Sequence, residues 1–187
     1  MAKGSNQLRI IGGEWRGRKL RFPDVANLRP TPDRVRETIF NWLMPMISGT
    51  RCLDLFAGSG ALGLEALSRG AAITVFVDSH KKATQYIKEH LATLNITERA
   101  QVSTMDGMKY LKGEAKKYDL VFLDPPYKLN FLEKAIPLLE SNAWLTHDAM
   151  IYIEIEKRQA LPALPENWKQ IKEKTAGEVN YFLYQRS

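Results

Sequence analysis

The sequence predicts a doubly wound α/β fold: a central, mostly parallel seven-stranded sheet with helices on both faces, plus a small basic N-terminal hairpin. Three observations carry this. From residue 51 onwards, short strand patterns alternate with amphipathic helical patterns. The strands are apolar nearly throughout, as in a parallel sheet buried on both faces. A last pair of strand patterns, 168–174 and 180–185, completes the set. Such alternation implies right-handed βαβ units, whose ligands bind beyond the carboxyl ends of the strands.

Each element has its own signal. Residues 8–11 and 18–22 read as two short strands around a turn carrying Gly12, Gly13 and Gly17. Thr31 is placed to cap the next helix, with Pro32 in its first turn and Asp33 complementing its positive end. Val35, Ile39 and Trp42/Leu43 recur at helical spacing as its apolar face, Arg34, Arg36 and Asn41 point elsewhere, and Pro45 stops it. A strand over 52–56 runs into glycines, and a helix over 61–69 is closed by Gly70. Then come a β-branched strand (73–77), an amphipathic helix (80–94), a strand (100–104), a short helix (108–115) and an apolar strand (120–123). A helix over 131–139, which Pro137 should bend or break, and a strand over 150–153 precede the final pair. The division expected is an arm over 1–30 and a main domain over 31–187.

The chain has 187 residues, 44% hydrophobic and 26% charged, which suits one folded domain. No run of about 18 apolar residues predicts a membrane span. The first seven residues are polar and lead into no apolar stretch, so no secretory signal is expected. One cysteine cannot form an internal disulfide. A cytoplasmic setting, no membrane partner and a monomer are the expectations. The formal net charge is +6, and it is unevenly placed. Residues 1–51 hold ten Lys/Arg against four Asp/Glu, whereas 52–187 hold seventeen of each. A basic segment on a neutral domain is either a solvated arm or a phosphate-binding surface.

Asp54-Leu55-Phe56-Ala57-Gly58-Ser59-Gly60-Ala61-Leu62-Gly63 joins the first sheet strand to its helix. Gly58 and Gly60 allow a tight turn and a close backbone approach to a ligand. The spacing Gly58-x-Gly60-x-x-Gly63, with Asp78 twenty residues after Gly58, also fits a dinucleotide fingerprint, so NAD competes with S-adenosylmethionine. Asp78 suits the ribose of either. Asp54, just ahead of the glycines, suits an ammonium and a sulfonium and suits a pyrophosphate poorly. Asp54, Asp78, Asp106 and Asp124 all fall at or just past strand ends.

Asp124-Pro125-Pro126-Tyr127 directly follows Leu120-Val121-Phe122-Leu123. Two prolines remove two backbone donors and leave carbonyls that no local N–H claims. A carboxylate, such carbonyls and an aromatic face together pin an exocyclic amine while the ring that carries it stacks. That is a nucleobase site.

The glycine loop, the acids after the second and third strands and the DPPY tetrapeptide resemble the amino-group class of S-adenosylmethionine-dependent methyltransferases, with their Rossmann-like class I fold. The N-terminal runs Arg9-Ile10-Ile11-Gly12-Gly13-x-Trp15-Arg16-Gly17-Arg18-Lys19-Leu20 and Arg29-Pro30-Thr31-x-Asp33-Arg34-Val35-Arg36-Glu37-Thr38-Ile39-Phe40-Asn41-Trp42-Leu43 resemble the RsmD family. Nearly the whole chain is covered. The resemblance implies methylation of N2 of one guanine in 16S ribosomal RNA, with the small ribosomal subunit or an assembly intermediate as partner. It implies that Asp54, Gly58 and Gly60 line the methionine end of the cofactor, that Asp78 takes the ribose, and that Asp106 sits near the adenine amino group. Phe56, Ala57, Ser79 and Gly107 beside them complete that site, and S-adenosylhomocysteine is the product. Asp124, Pro125, Pro126 and Tyr127 would position the guanine. Asp78 stands where relatives commonly have Glu, and both can bind ribose hydroxyls.

Arg16, Arg18, Lys19, Arg29, Arg34 and Arg36 are the candidates for contact with the RNA backbone. Cys52 lies inside a strand and reads as core, which speaks against thiolate chemistry on a pyrimidine. His80, His90 and His147 lack metal-ligand spacing, and the first two read as surface residues. The tryptophans read as packing residues, except that Trp15, flanked by Arg16 and Arg18, stays open as a base platform. DNA adenine-N6 methylation uses the same tetrapeptide, but no stretch is long enough for a separate target-recognition domain. A catalytically silent RNA-binding module is the remaining alternative, against which the four rim aspartates and the glycines speak.

Overall fold

The computed structural model describes residues 7–21, 31–126 and 130–187. Its elements follow the apolar patterning closely. β1 (Gln7–Arg9) and β2 (Lys19–Arg21) form an antiparallel hairpin with Leu8 opposite Leu20. Then come α1 (Asp33–Leu43), β3 (Arg51–Asp54), α2 (Ala61–Ser68), β4 (Ile73–Asp78), α3 (Lys81–Thr93) and β5 (Ala100–Thr104). α4 (Gly107–Leu111), β6 (Tyr118–Leu123), α5 (Phe131–Ser141), β7 (Leu145–Glu156), β8 (Trp168–Ala176) and β9 (Val179–Arg186) complete the chain.

The expected seven-stranded, mostly parallel sheet is present, in the order β5-β4-β3-β6-β7-β9-β8. β3 to β7 run parallel, while β9 runs antiparallel between β7 and β8. The strands are apolar on both faces because both are covered. Leu53, Val121 and Ile151 pack with Leu111 of α4 and Leu132, Ala135, Ile136 and Leu139 of α5. Cys52, Phe122 and Tyr152 pack beneath Val35, Ile39, Phe40 and Leu43 of α1. Cys52 is fully buried, as its strand position predicted.

A third cluster places Leu8, Ile10, Trp15 and Leu20 of the hairpin region against Leu64 and Leu67 of α2, Ile87 and Leu91 of α3, and Phe76 of β4. Burying each such side chain is worth about 1.5–3 kcal/mol, so the hairpin is fixed to the domain through its inner face. Trp15 is therefore a packing residue. It is buried, and the guanidinium of Arg99 lies 5.6 Å above its ring. With its ring covered, it offers no platform to a base. The hairpin covers His90 as well, which is buried with the Tyr86 ring edge-on at 6.2 Å rather than lying at the surface.

Other expectations shift for local reasons. α5 runs unbroken through Pro137. That proline is exposed, so the carbonyl it leaves unmatched in the preceding turn faces water. α4 stops at Leu111, ahead of Gly113, short of the predicted 115. β7 extends three residues past 153, carrying the buried Glu154. Thr31 makes no side-chain cap bond to α1, whose N-cap is Pro32. Among the described residues no helix is long and apolar enough to cross a membrane.

Candidate active site

The winding of the sheet reverses at β3: β4 and β5 lie to one side, β6 and β7 to the other. The loops leaving the carboxyl ends of β3 and β6 therefore diverge and open a crevice, where doubly wound folds bind ligands. The strand register fills it with acids. Asp54 pairs with Phe76 on β4 and with Phe122 on β6. Asp78 and Asp124 each lie two residues beyond those partners, so they flank Asp54 on the same face of the sheet. Phe122 pairs with Tyr152, which brings Glu154 level with Asp124. Four neighbouring strands thus each present one carboxylate to the face that α1 and α2 cover. Asp106, two residues past the Thr104 that pairs with Asp78, extends the row.

The glycine loop is built by turns that side chains would strain. Gly58 and Gly60 have φ of 53° and 77°, and Gly60 is the N-cap of α2. Gly60 N–H donates to the Ala57 carbonyl at 2.7 Å, and Ala57 N–H to the Val77 carbonyl at 2.9 Å. Gly63 has a packing role. A Cβ there would lie 2.2 Å from Cε1 of Phe76, so only glycine lets α2 approach β4 this closely. Phe56 packs against Phe131 at 5.4 Å, tying the loop to the start of α5.

The glycine loop holds two of the protein's own carboxylates. Gly58 N–H donates to Asp78 Oδ2 at 2.8 Å, and Gly63 N–H donates to Asp54 Oδ2 at 3.0 Å. A dinucleotide site brings a pyrophosphate against such a loop. Acids placed there suit it poorly and suit a cationic ligand. Burial pushes the Asp54 carboxyl up to about 7; the Gly63 N–H opposes this and Asp78 adds to it. Asp78 also accepts His80 N–H at 2.7 Å, and Ser79 is exposed beside it. Asp106 is exposed and caps α4 by accepting Lys109 N–H at 3.0 Å, while Gly107 is buried against Leu55.

Asp124 is half-buried, Pro125 buried and Pro126 exposed; Tyr127 lies outside the described residues. Burial holds the Asp124 carboxyl well above the usual range, as do the nearby Glu154 and Asp54 carboxylates. Thr31 Oγ1 opposes the shift by donating to Asp124 Oδ2 at 3.4 Å. Glu154 in turn accepts the Tyr152 hydroxyl at 2.6 Å. Pro125, Pro126, Leu132, Glu133, Glu154 and Gln159 border a cleft of about 160 Å³ next to the motif. Thr31 and Glu154 were not among the predicted site residues. Glu154 left a signal, a lone charge within the apolar run 149–155; Thr31 left none.

Of the predicted RNA contacts, Arg16, Arg18 and Lys19 are exposed on the hairpin and Arg34 on α1; Arg29 lies outside the described residues. Arg36 is a correction. It is 1% exposed. It bonds Asp33 at 2.6 Å, the Arg9 carbonyl at 2.8 Å, the Thr31 carbonyl at 3.1 Å and Glu65 at 3.5 Å. The hairpin closes over the helix face that its spacing assigned to solvent, so Arg36 cannot reach a phosphate. The hairpin turn docks on the far end of α2, with Glu14 N–H on the Ser68 carbonyl at 2.7 Å. Arg16 therefore lies away from the glycine loop, towards the opposite rim of the sheet.

The model of the family described as conserved hypothetical protein 95 matches residues 8–185. The chain belongs to this family, the RsmD family. Relatives named ribosomal RNA small subunit methyltransferase D share its sequence at high identity. That of Escherichia coli (strain K12) is 51% identical over 183 residues, covering 98% of this chain and 92% of the relative. That of Haemophilus influenzae is 50% identical over 187 residues, covering 98% and 95%. The solved structure of the Escherichia coli protein yhhF superimposes with a TM-score of 0.91 at 49% identity, covering 97% of this chain and 98% of that one. Similarity to RsmD relatives thus spans the hairpin, the glycine loop and the Asp124 motif together.

Proposed function

We propose that this protein transfers a methyl group from S-adenosylmethionine to the exocyclic N2 of a guanine in 16S ribosomal RNA, within the small subunit or an assembly intermediate. The observation that carries the reading is the position of Asp124-Pro125-Pro126 at the crevice, beside a glycine loop whose amides are already held by carboxylates. The relatives' name, ribosomal RNA small subunit methyltransferase D, supports the substrate class. The donor set suits the cofactor: Asp54 and Asp78 offer acceptors to an ammonium and to ribose hydroxyls, and Asp106 to an adenine amine.

When bound, S-adenosylmethionine supplies an electrophilic methyl on a sulfonium. The chain's own residues prepare the acceptor. Guanine N2 is a poor nucleophile because its lone pair is delocalised into the ring. Asp124 and the Pro125 carbonyl each accept one N2–H, which favours a more tetrahedral nitrogen and takes up the positive charge that develops there; the surplus N2 proton leaves along its hydrogen bond to the Asp124 carboxylate and passes to solvent. Stacking on the extruded base is the role that the family resemblance gives Tyr127. Fixing the nitrogen in line supplies most of the remaining barrier reduction. Arg16, Arg18, Lys19, Arg29 and Arg34 hold the RNA backbone. In this reading the arm over 1–30 grips RNA together with Arg34, the rest of 31–187 carries the chemistry, and the protein acts as a cytoplasmic monomer.

The test is label transfer from methyl-tritiated S-adenosylmethionine to small subunits lacking the modification, followed by nucleoside analysis. Label in N2-methylguanosine is expected. Label in N6-methyladenosine, or transfer to DNA alone, overturns the reading.

A further inference from the structure

We infer that Thr31 is a positioning residue for the transfer: its hydroxyl holds Asp124 Oδ2 and so leaves Oδ1 turned to the substrate amine. The inference rests on the role of Asp124 proposed above. Thr31 is buried at 6% exposure immediately before α1, and its hydroxyl donates to Asp124 Oδ2 rather than capping the helix. The bond is long, at 3.4 Å, and it spans 93 residues of sequence.

The backbone of Thr31 is fixed from behind. Its carbonyl accepts Arg36 Nε at 3.1 Å. Arg36 is locked by Asp33 and by the buried Glu65. Glu65 also accepts the backbone N–H groups of Ile11 and Gly12, each at 2.8 Å, and Arg69 Nε at 2.8 Å. A buried ion network of this kind adds little net stability, but it defines position sharply, because breaking it strands a charge. Its effect here is to register three parts: the hairpin that bears the exposed cations, the body of α2, and the hydroxyl on Asp124. The site is thereby completed by a residue from outside the sheet.

Among the described residues, the groups facing Asp124 are the Asp54 carboxylate from β3, the Glu154 carboxylate from β7 and the Thr31 hydroxyl. Both carboxylates favour the protonated, inactive form of Asp124; Thr31 favours the ionised form. Removing the hydroxyl should therefore lower turnover and also move its acid limb to higher pH.

The experiment measures kcat against pH, and KM for S-adenosylmethionine, on small subunits lacking the modification. Thr31→Val, Thr31→Ser and Asp124→Ala are compared with the unaltered protein. Thr31→Val should lower kcat roughly two- to tenfold, the size of one ordinary hydrogen bond, with KM for the cofactor little changed. Its acid limb should move to higher pH, and Thr31→Ser should restore both. An unchanged kcat and acid limb in Thr31→Val, with Asp124→Ala inactive, overturns the inference and leaves the role of Asp124 standing. A lower kcat with an unmoved limb and no rescue by serine marks a merely structural threonine and also overturns it. Full turnover in Asp124→Ala would instead remove the reading on which it rests.

Discussion

Asp54 Oδ2 accepts the backbone N–H of Gly63 at 3.0 Å, so the first turn of α2 is closed by a carboxylate from the end of the preceding strand. That carboxyl sits at about 7 against an ordinary 3.8, chiefly through burial. The folded state therefore binds its proton more tightly than the unfolded chain does. Its contribution to stability is complete below the ordinary value and is lost as pH rises towards the folded one. The thermal midpoint of the unaltered protein should fall across that window more than that of Asp54→Asn, which has no proton to lose. Calorimetry at either end of the window measures the difference. The same titration predicts that the cofactor's cationic end binds more tightly as pH rises through neutrality, and that Asp54→Asn flattens this dependence.

Asp124→Ala should retain cofactor binding and lose transfer by on the order of a hundred- to a thousandfold, the scale for removing one group aimed at developing charge. Single-turnover label transfer beside equilibrium binding separates the two. Because burial and two neighbouring carboxylates raise the Asp124 carboxyl, activity carried by its ionised form falls as pH drops through that raised value. An acid limb in the ordinary aspartate range would contradict this.

Arg36 and Arg34 stand two residues apart and should behave oppositely. Arg36→Met strands Glu65 and should cost about 3 kcal/mol in denaturant unfolding, somewhat less if Arg69 and the two backbone donors compensate. Its slope of log affinity for RNA against log salt should stay unchanged. Arg34→Gln, on the exposed face, should leave stability within about 0.5 kcal/mol. It should also flatten that slope by about 0.7–0.9 for each phosphate that the side chain no longer neutralises.

Gly63→Ala should destabilise by about 1–3 kcal/mol through overpacking against the Phe76 ring. Cofactor affinity, measured well below the melting temperature, should change far less than stability. A selective loss of affinity would give Gly63 a ligand-contacting role instead of a packing one.

Much of this was legible in the sequence because the signals were local. A strand buried on both faces is apolar along its middle without alternation, so β3, β4 and β6 are readable from their own residues. The glycine loop and the Asp124 motif were readable because left-handed φ and missing backbone donors depend on residue type alone. What escaped depends on what covers what. Arg36 occupies a helix position that faces water in an isolated helix and is buried only because the hairpin folds over it. Trp15 and His90 were misread for the same reason. Thr31 carries the signature of a helix cap, and only the tertiary approach of α1 to the end of β6 reassigns its hydroxyl. Glu154 is hidden because a charge ordinarily marks the end of a buried strand, whereas β7 carries this one inside it. Tyr127 and Arg29 lie outside the described residues.

Asp78, Asp54, Asp124 and Glu154 set one acid at the head of each of four neighbouring strands in a chain of net charge +6. Two of them, Asp54 and Glu154, are buried. On the function proposed above, the base and its backbone are therefore met by opposite kinds of group: the amine by acids at the strand ends, the phosphates by cations outside.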